Sequence, residues 1–401
     1  MAGHVSGLQS LVKEKYPLAI FIHCYSHKLN LVLSKSTNSI TECRRFFNSL
    51  SGISSFFAHS TVRTNALKSF MERKLPGASP TRWNFSSRLV STIGEYREHL
   101  IKFFLSIDDE SDNWTEEEVS TAFSFYHFLS KIDTKFFLTI FKKIFSYSDV
   151  LFDILQNKCM DISYCTAKVN EFYSTLQKIK DDDFEHMWEE ANNNFDNRFD
   201  PKPKRQKKDE DSSLRYHRLF DEILDTLMSN VKLRFDSQKD LNFVSLLDVN
   251  NFLICKKKFP QNLLTELKEP YASNFDIVRL KNELRVIYSS DEYNMKTLYE
   301  FTHYMKLNKL DVVFTEVYKL SELILTFPST TASAERSFSA LKRIKTYLRA
   351  TQGQVRLSNL ALLSIEKDIL IDMQKWLPEK FYENVTLKFI EKERRMEFML
   401  K

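Results

Sequence analysis

The sequence predicts a mostly helical protein with a partial α/β core near its start, and two patterns support this prediction. Most apolar residues recur three or four positions apart, which is typical of helices that bury one face. Residues 18–24, LAIFIHC, instead form a continuous apolar, β-branched and aromatic run after Pro17, which predicts a short buried strand. Helical patterns at 5–15 and 27–36 flank this run, and a strand between helices is typical of α/β folds.

The middle of the chain alternates between helical stretches and two breaks. Helical spacing extends over 40–105, where a Pro/Gly-rich loop at 75–80 interrupts it, and again over 115–180. Residues 196–213 are highly charged, contain two prolines and have almost no apolar residue, so they predict a linker. Helical spacing then resumes over 214–310.

Three apolar stripes follow one another in the last ninety residues or so. The first consists of Leu310, Val313, Val317, Leu320 and Ile324. The second consists of Phe338, Leu341, Ile344 and Leu348, and the third of Leu357, Leu360 and Ala361. Each set has the spacing of one helix face, so the sequence predicts consecutive helices that pack against a partner surface.

Composition argues against several classes of function. Of the 401 residues, 43% are hydrophobic and 28% are charged, which is typical of a globular chain. Only 6 glycines occur, and they do not cluster into a loop that wraps phosphates. We therefore expect no nucleotide cofactor and no small-molecule substrate.

The sequence also predicts where the protein works. No apolar run reaches membrane-spanning length and the start resembles no secretory signal, so we expect neither a membrane span nor secretion. The 5 cysteines are scattered and odd in number, which favours a reducing compartment over a disulfide framework. A basic run is typical of nuclear import signals but also of solvated linkers, so we expect a nuclear or cytoplasmic protein. The run consists of Lys202, Lys204, Arg205, Lys207 and Lys208.

A few polar residues are candidates for a site. Cys24 and His27 form a Cys-x-x-His pair, but tetrahedral zinc needs four ligands and no matching pair follows, so we expect no metal there. Arg82 and Trp83 have the chemistry to grip a phosphate and stack on a base, although a tryptophan beside an apolar helix is often core. Glu335 alone would be an ordinary acid in the first turn of a helix.

Three motifs, in order along the chain, resemble landmarks of the hAT-superfamily transposases and of the host proteins derived from them. The segment 328–368, PSTTASAERSFSALKRIKTYLRATQGQVRLSNLALLSIEKD, is similar to the C-terminal signature of that family, which is described as its dimerisation segment. HCYSHKLNLVL at 23–33 and SPTRWNFSSR at 79–88 resemble two further landmarks. The resemblance is to the MYM-type zinc finger 1-like and kinase-inhibitor-repressor-like branches in particular.

The resemblance implies a ribonuclease-H-like core that is interrupted by a large helical insertion. In the family, two Asp and one Glu hold two divalent metal ions for strand cleavage, and Glu335 matches that Glu. Arg82 and Trp83 match an Arg-Trp pair whose Trp stacks on a flipped base, and Cys24 and His27 match a pair near the bound DNA end.

The resemblance also implies a division of the chain into three parts. Residues 1–105 would be the C-terminal part of a truncated core, and 106–310 the helical insertion with its charged linker. Residues 311–401 would be the dimerisation region that completes the core. The expected dimerisation residues are Phe338, Leu341, Leu357, Leu360 and Leu363.

One departure from the family decides the expected function. The two catalytic Asp of the family would precede Met1, and one glutamate cannot offset the charge of two divalent ions. We therefore expect a transposon-derived, catalytically incomplete protein that dimerises with itself or a full-length relative and binds DNA weakly. Mg²⁺ would be needed only by an intact transposase. Two alternatives stay open, namely a fragment of an active transposase whose N-terminal catalytic part is missing, and a helical adaptor that binds no DNA.

Overall fold

The structure of the chain, a computed structural model, is built from helices. It describes residues 7–77, 83–109, 114–157, 160–192, 209–235, 239–290, 292–293, 295–346, 351–376 and 378–391. No strand occurs within these ranges, so the described chain contains neither a sheet nor the expected ribonuclease-H-like α/β core. None of the described helices is both long and apolar enough to span a membrane.

The chain divides into two compact units, residues 1–330 (unit 1) and residues 331–401 (unit 2). The first ten helices of unit 1 are α1 Leu8–Lys15, α2 Tyr25–Ser39, α3 Thr41–Ala58, α4 Thr61–Leu67, α5 Trp83–Glu95, α6 Arg97–Asp109, α7 Glu116–Ser130, α8 Ile132–Leu155, α9 Ile162–Asp182 and α10 Phe184–Asn192. The remaining helices of unit 1 are α11 Asp209–Phe235, α12 Phe252–Lys257, α13 Gln261–Tyr271, α14 Ile277–Ser289, α15 Leu298–Leu307 and α16 Thr315–Leu325. Unit 2 contains α17 Ala332–Ile344, α18 Gln354–Ile365, α19 Lys367–Trp376 and α20 Pro378–Ile390.

The predicted strand at 18–24 is wrong. Leu18 belongs to a turn, residues 19–24 have no regular secondary structure, and α2 begins at Tyr25, so no strand forms here in the part of the chain that the structure describes. Ile20 and Ile22 pack partly buried against the core, whereas Phe21 and His23 are exposed. Partly buried and exposed side chains therefore alternate along the segment as they do along a strand. A strand also needs hydrogen bonds to a neighbouring strand, and local sequence does not supply that neighbour.

Two other boundaries also differ from the prediction. The linker predicted at 196–213 lies mostly outside the described residues, but its last residues, from Asp209, belong to the long helix α11. The stripe predicted on one helix from Leu310 is divided, because Leu310–Val312 is a short 3₁₀ turn and α16 begins only at Thr315.

A phenylalanine-rich core holds unit 1 together, and it explains why 34 phenylalanines occur in this chain. The 24-residue helix α8 lies at its centre and packs against α5, α9 and α10. Phe141 on α8 is 1% exposed and stacks on Phe46 of α3 with ring centroids 5.9 Å apart. The Phe141 ring also makes an edge contact with Phe47, with ring centroids 4.8 Å apart, and a tilted contact with Phe145, with ring centroids 5.6 Å apart. Such aromatic pairs stabilise the fold beyond the apolar area that they bury.

Two buried glutamates connect α14 to α16 by capping. Glu283 on α14 accepts hydrogen bonds from the backbone N–H groups of Glu316 and Val317, both at 2.9 Å. In return, Glu316 accepts one from the backbone N–H of Asp276, just before α14, at 3.0 Å. Each carboxylate thus satisfies N–H groups at the start of the other helix, which helix geometry leaves without partners.

Candidate functional site

The first candidate site lies where the end of α11 meets the start of α2, and its basic residues, which we call the basic cluster, are His23, His27 and Lys28 from the start of α2 and Arg234 from α11. The backbone N–H of Tyr25 donates to the carbonyl oxygen of Ser329 at 3.0 Å, which fixes the first turn of α2. Cys24 occupies the N-cap position and its side chain caps no backbone N–H. The positive end of the helix dipole therefore adds to the charge of the cluster.

Lys28 is the unusual member of the basic cluster. Its side chain is buried, with 6% of the residue exposed, and its Nζ lies 5.1 Å from the ring centroid of Tyr25 and 5.4 Å from that of Phe235. Within the described part of the chain, Lys28 pairs with no carboxylate, so cation–π contacts provide its only attraction. A buried ammonium without a counter-ion is costly to keep charged.

The charges of the cluster act on one another. Burial, and then the charge of Arg234, lower the pKa of Lys28 to about 8. Burial, followed by the charges of Lys28, His27 and Arg234, lowers the pKa of His23 as well. The edge of Phe21, which is 40% exposed, lies against His23 with ring centroids 4.7 Å apart. Positive charge beside exposed aromatic faces is the combination that binds single-stranded nucleic acid.

The two members of the Cys-x-x-His pair differ in exposure. Cys24 is half-buried, and its Sγ lies 4.0 Å from Oγ1 of Thr330, whereas His27 is exposed. Cys24, Cys43, Cys165 and Cys255 are all thiols. No group of three His, Cys, Asp or Glu that could hold a metal ion occurs among the described residues.

The other residues with an expected DNA or metal role are placed as follows. Arg82 lies outside the described residues, and Trp83 is the first residue of α5, with its side chain outside the description. Glu335 lies exposed in the first turn of α17, where its Oε1 accepts a hydrogen bond from Thr331 Oγ1 at 3.2 Å. Its structural position is that of an ordinary first-turn acid.

The helices of unit 2 form the second candidate site. They pack in sequence order, α17 on α18, α18 on α19 and α19 on α20. Of the expected dimerisation residues, Phe338 is 70% exposed and Leu363 is exposed, whereas Leu341, Leu357 and Leu360 are half-buried. Sequence reasoning missed further exposed apolar residues of α18 and α19. These are Val355, Leu362, Ile365, Ile369 and Met373.

Comparison with known proteins assigns this region. Residues 287–369 match the C-terminal dimerisation region of the hAT family. The match covers the last residues of α14, all of α15 to α18 and the first residues of α19. The chain therefore contains a hAT dimerisation region, as the sequence motif at 328–368 indicated.

Most of the chain is also distantly similar to a particular protein. It is 23% identical to the 52 kDa repressor of the inhibitor of the protein kinase from Homo sapiens, over 91% of this chain and 51% of that protein. The protein of the same name from Mus musculus is 22% identical over 91% of this chain and 52% of its own length. The chain thus spans about half the length of the curated relatives it matches.

Proposed function

We propose that this protein acts by association rather than catalysis, as a transposon-derived hAT protein that dimerises through residues 331–369, the part of the matched region that lies in unit 2. The observation that carries this proposal is the exposed apolar surface of unit 2, which shares residues 331–369 with the matched dimerisation region. Contiguous exposed apolar patches mark interaction sites in soluble proteins. The partner is a second copy or a longer hAT relative.

The non-catalytic part of the proposal is supported by Glu335. Its carboxylate is exposed, and no described group of acidic side chains shares its surroundings in a metal-binding arrangement. Strand transfer by two metal ions needs several carboxylates to offset their charge. Metal-dependent cleavage of DNA that disappears in Glu335→Gln would contradict this part and favour a fragment of an active transposase.

We also propose a nuclear location, based on the basic run from Lys202 to Lys208, which is typical of nuclear import signals.

Association is tested on the full chain and on a chain that ends at Thr330. We expect the full chain to run as a dimer in sedimentation velocity at micromolar concentration, and the shortened chain as a monomer. Circular dichroism of the shortened chain controls for folding, because unit 1 has its own core. If both chains remain monomeric at high micromolar concentration, the proposed self-association is wrong.

We propose DNA binding by the basic cluster as a second function, because Lys28 stays buried without a paired carboxylate among the described residues. A phosphate would supply the missing negative charge beside the Lys28 ammonium and the start of α2. The exposed rings of Phe21 and His23 would stack on bases.

Substitution of Lys28 tests this second function. We expect Lys28→Met to weaken binding of a single-stranded oligonucleotide at low salt by about tenfold to a hundredfold, since a charge-assisted hydrogen bond contributes about 1.5–3 kcal/mol. Lys35→Met, which removes the same charge from an exposed position of α2, is the control and should change binding little. Equal binding by both variants would contradict the proposal.

The pH dependence adds a second readout. The pKa of Lys28 is about 8 in the folded chain, below its ordinary value, so the unfolded chain holds this proton more tightly. Lys28 therefore makes the fold more stable as pH rises above about 8, and Lys28→Met should raise stability at neutral pH. Oligonucleotide binding should show the opposite trend and fall as pH rises through about 8, in the wild-type and Lys35→Met chains but not in Lys28→Met.

A further inference from the structure

Helices α19 and α20 enclose an open apolar groove of about 870 Å³. Its floor consists of Ile369 and Met373 on α19 and of Phe381 and Val385 on α20. Within each helix the two floor residues are four positions apart, so they form one stripe along each wall. Ile369, Met373 and Val385 are all more than half exposed. Neither helix has a fully buried apolar residue among its described side chains.

The groove continues the dimerisation region without a break. The match to that region ends at Ile369, whereas α19 begins at Lys367 and extends to Trp376. One helix therefore belongs both to the dimerisation region and to the wall of the groove. Ile369, the last matched residue, itself lines the groove, so the two surfaces share a residue.

Charge along the two helices indicates what kind of partner fits. Helix α19 carries two acids and two bases, Asp368, Asp372, Lys367 and Lys375. Helix α20 also carries two of each, Glu379, Glu383, Lys380 and Lys388. A nucleic acid or an acidic membrane would require an excess of bases, which neither helix has. The groove itself is lined by one acid and two bases, Asp372, Lys380 and Lys388, and opposite charges on one surface suit pairing with its own copy about a two-fold axis.

We propose that the α19–α20 groove receives the same hairpin of a second copy of this chain, which extends the dimer interface beyond the matched region to about Ile390. The apolar stripes of the two hairpins interdigitate. The rim acid Asp372 of each copy faces the rim lysines of the other, Lys380 and Lys388. This inference rests on the proposed dimerisation and adds a surface that the dimerisation region itself does not include.

Charged substitutions of the groove floor test the inference on the full chain. We expect Met373→Glu and Val385→Glu each to raise the dissociation constant of the dimer by about tenfold or more, because a carboxylate would be buried at the interface centre. Tyr382→Glu is the matched control, since Tyr382 is an exposed residue of α20 that does not line the groove. It should leave the dissociation constant within about twofold of the wild-type value. Sedimentation equilibrium measures the constants, and circular dichroism checks that each variant folds.

The outcomes separate this inference from the proposed function. If Leu363→Glu dissociates the dimer while Met373→Glu and Val385→Glu do not, the dimer exists and the groove is not part of it, which overturns the inference alone. If the wild-type chain is monomeric throughout, the proposed dimerisation itself fails. If Tyr382→Glu dissociates the dimer as strongly as the floor variants, the groove has no special role and the inference is overturned.

Discussion

Replacement of Glu283 by alanine should lower the free energy of unfolding by about 3–5 kcal/mol, the range for breaking a buried charged network. The change removes the acceptor for the N–H groups of Glu316 and Val317 and leaves them buried without partners. It also removes the partner of Arg279, whose Nε lies 2.8 Å from Glu283 Oε1. Urea unfolding followed by circular dichroism measures the loss.

Two further variants make the Glu283 result specific. Glu283→Gln keeps an acceptor oxygen but loses the charge, so it should cost clearly less than the alanine variant. Glu171→Ala removes an exposed glutamate whose pair with Lys168 lies on the surface, so it should change stability by only about 0.5 kcal/mol. If Glu283→Ala behaves like Glu171→Ala, the reciprocal capping of α14 and α16 does not stabilise unit 1.

Phe141→Ala should destabilise unit 1 by a similar amount, about 3–5 kcal/mol, because it opens a cavity in the centre of the core. The ring is 1% exposed and contacts Phe46, Phe47 and Phe145. Thermal unfolding of the full chain measures the effect. Phe123→Ala is the matched control, because Phe123 on α7 is 48% exposed and its loss should cost about 1 kcal/mol or less. Equal losses for the two variants would contradict a core centred on α8.

The helices could be predicted from sequence because their hydrogen bonds and apolar stripes are local. Val317, Leu320 and Ile324 show this, since their spacing predicted one buried face and all three are fully buried on α16. At 18–24, local sequence alone predicts the wrong structure. Its composition is that of a strand, but a strand exists only beside another one, and the described chain provides none.

The two candidate sites also differ in how far sequence could predict them. The dimerisation region was found from contiguous sequence, because its motif lies within one stretch of the chain. The basic cluster was missed, because Arg234 and Phe235 reach Lys28 from α11, far along the chain. The capping of α14 by Glu316 was missed for the same reason, since the acceptor belongs to another helix. A buried lysine at the start of a helix gives no sequence signal of its own.

The last two residues of unit 1, Ser329 and Thr330, contact residues elsewhere in that unit. Ser329 accepts the backbone N–H of Tyr25 and donates its hydroxyl to the carbonyl of Met160 at 3.0 Å, and Thr330 lies beside Cys24. In genetic terms, this makes residue 330 a natural place for a separation-of-function allele. A nonsense mutation just after it would leave a folded unit 1 without the dimerisation surface proposed above, whereas missense changes in the phenylalanine core would lower the amount of folded protein.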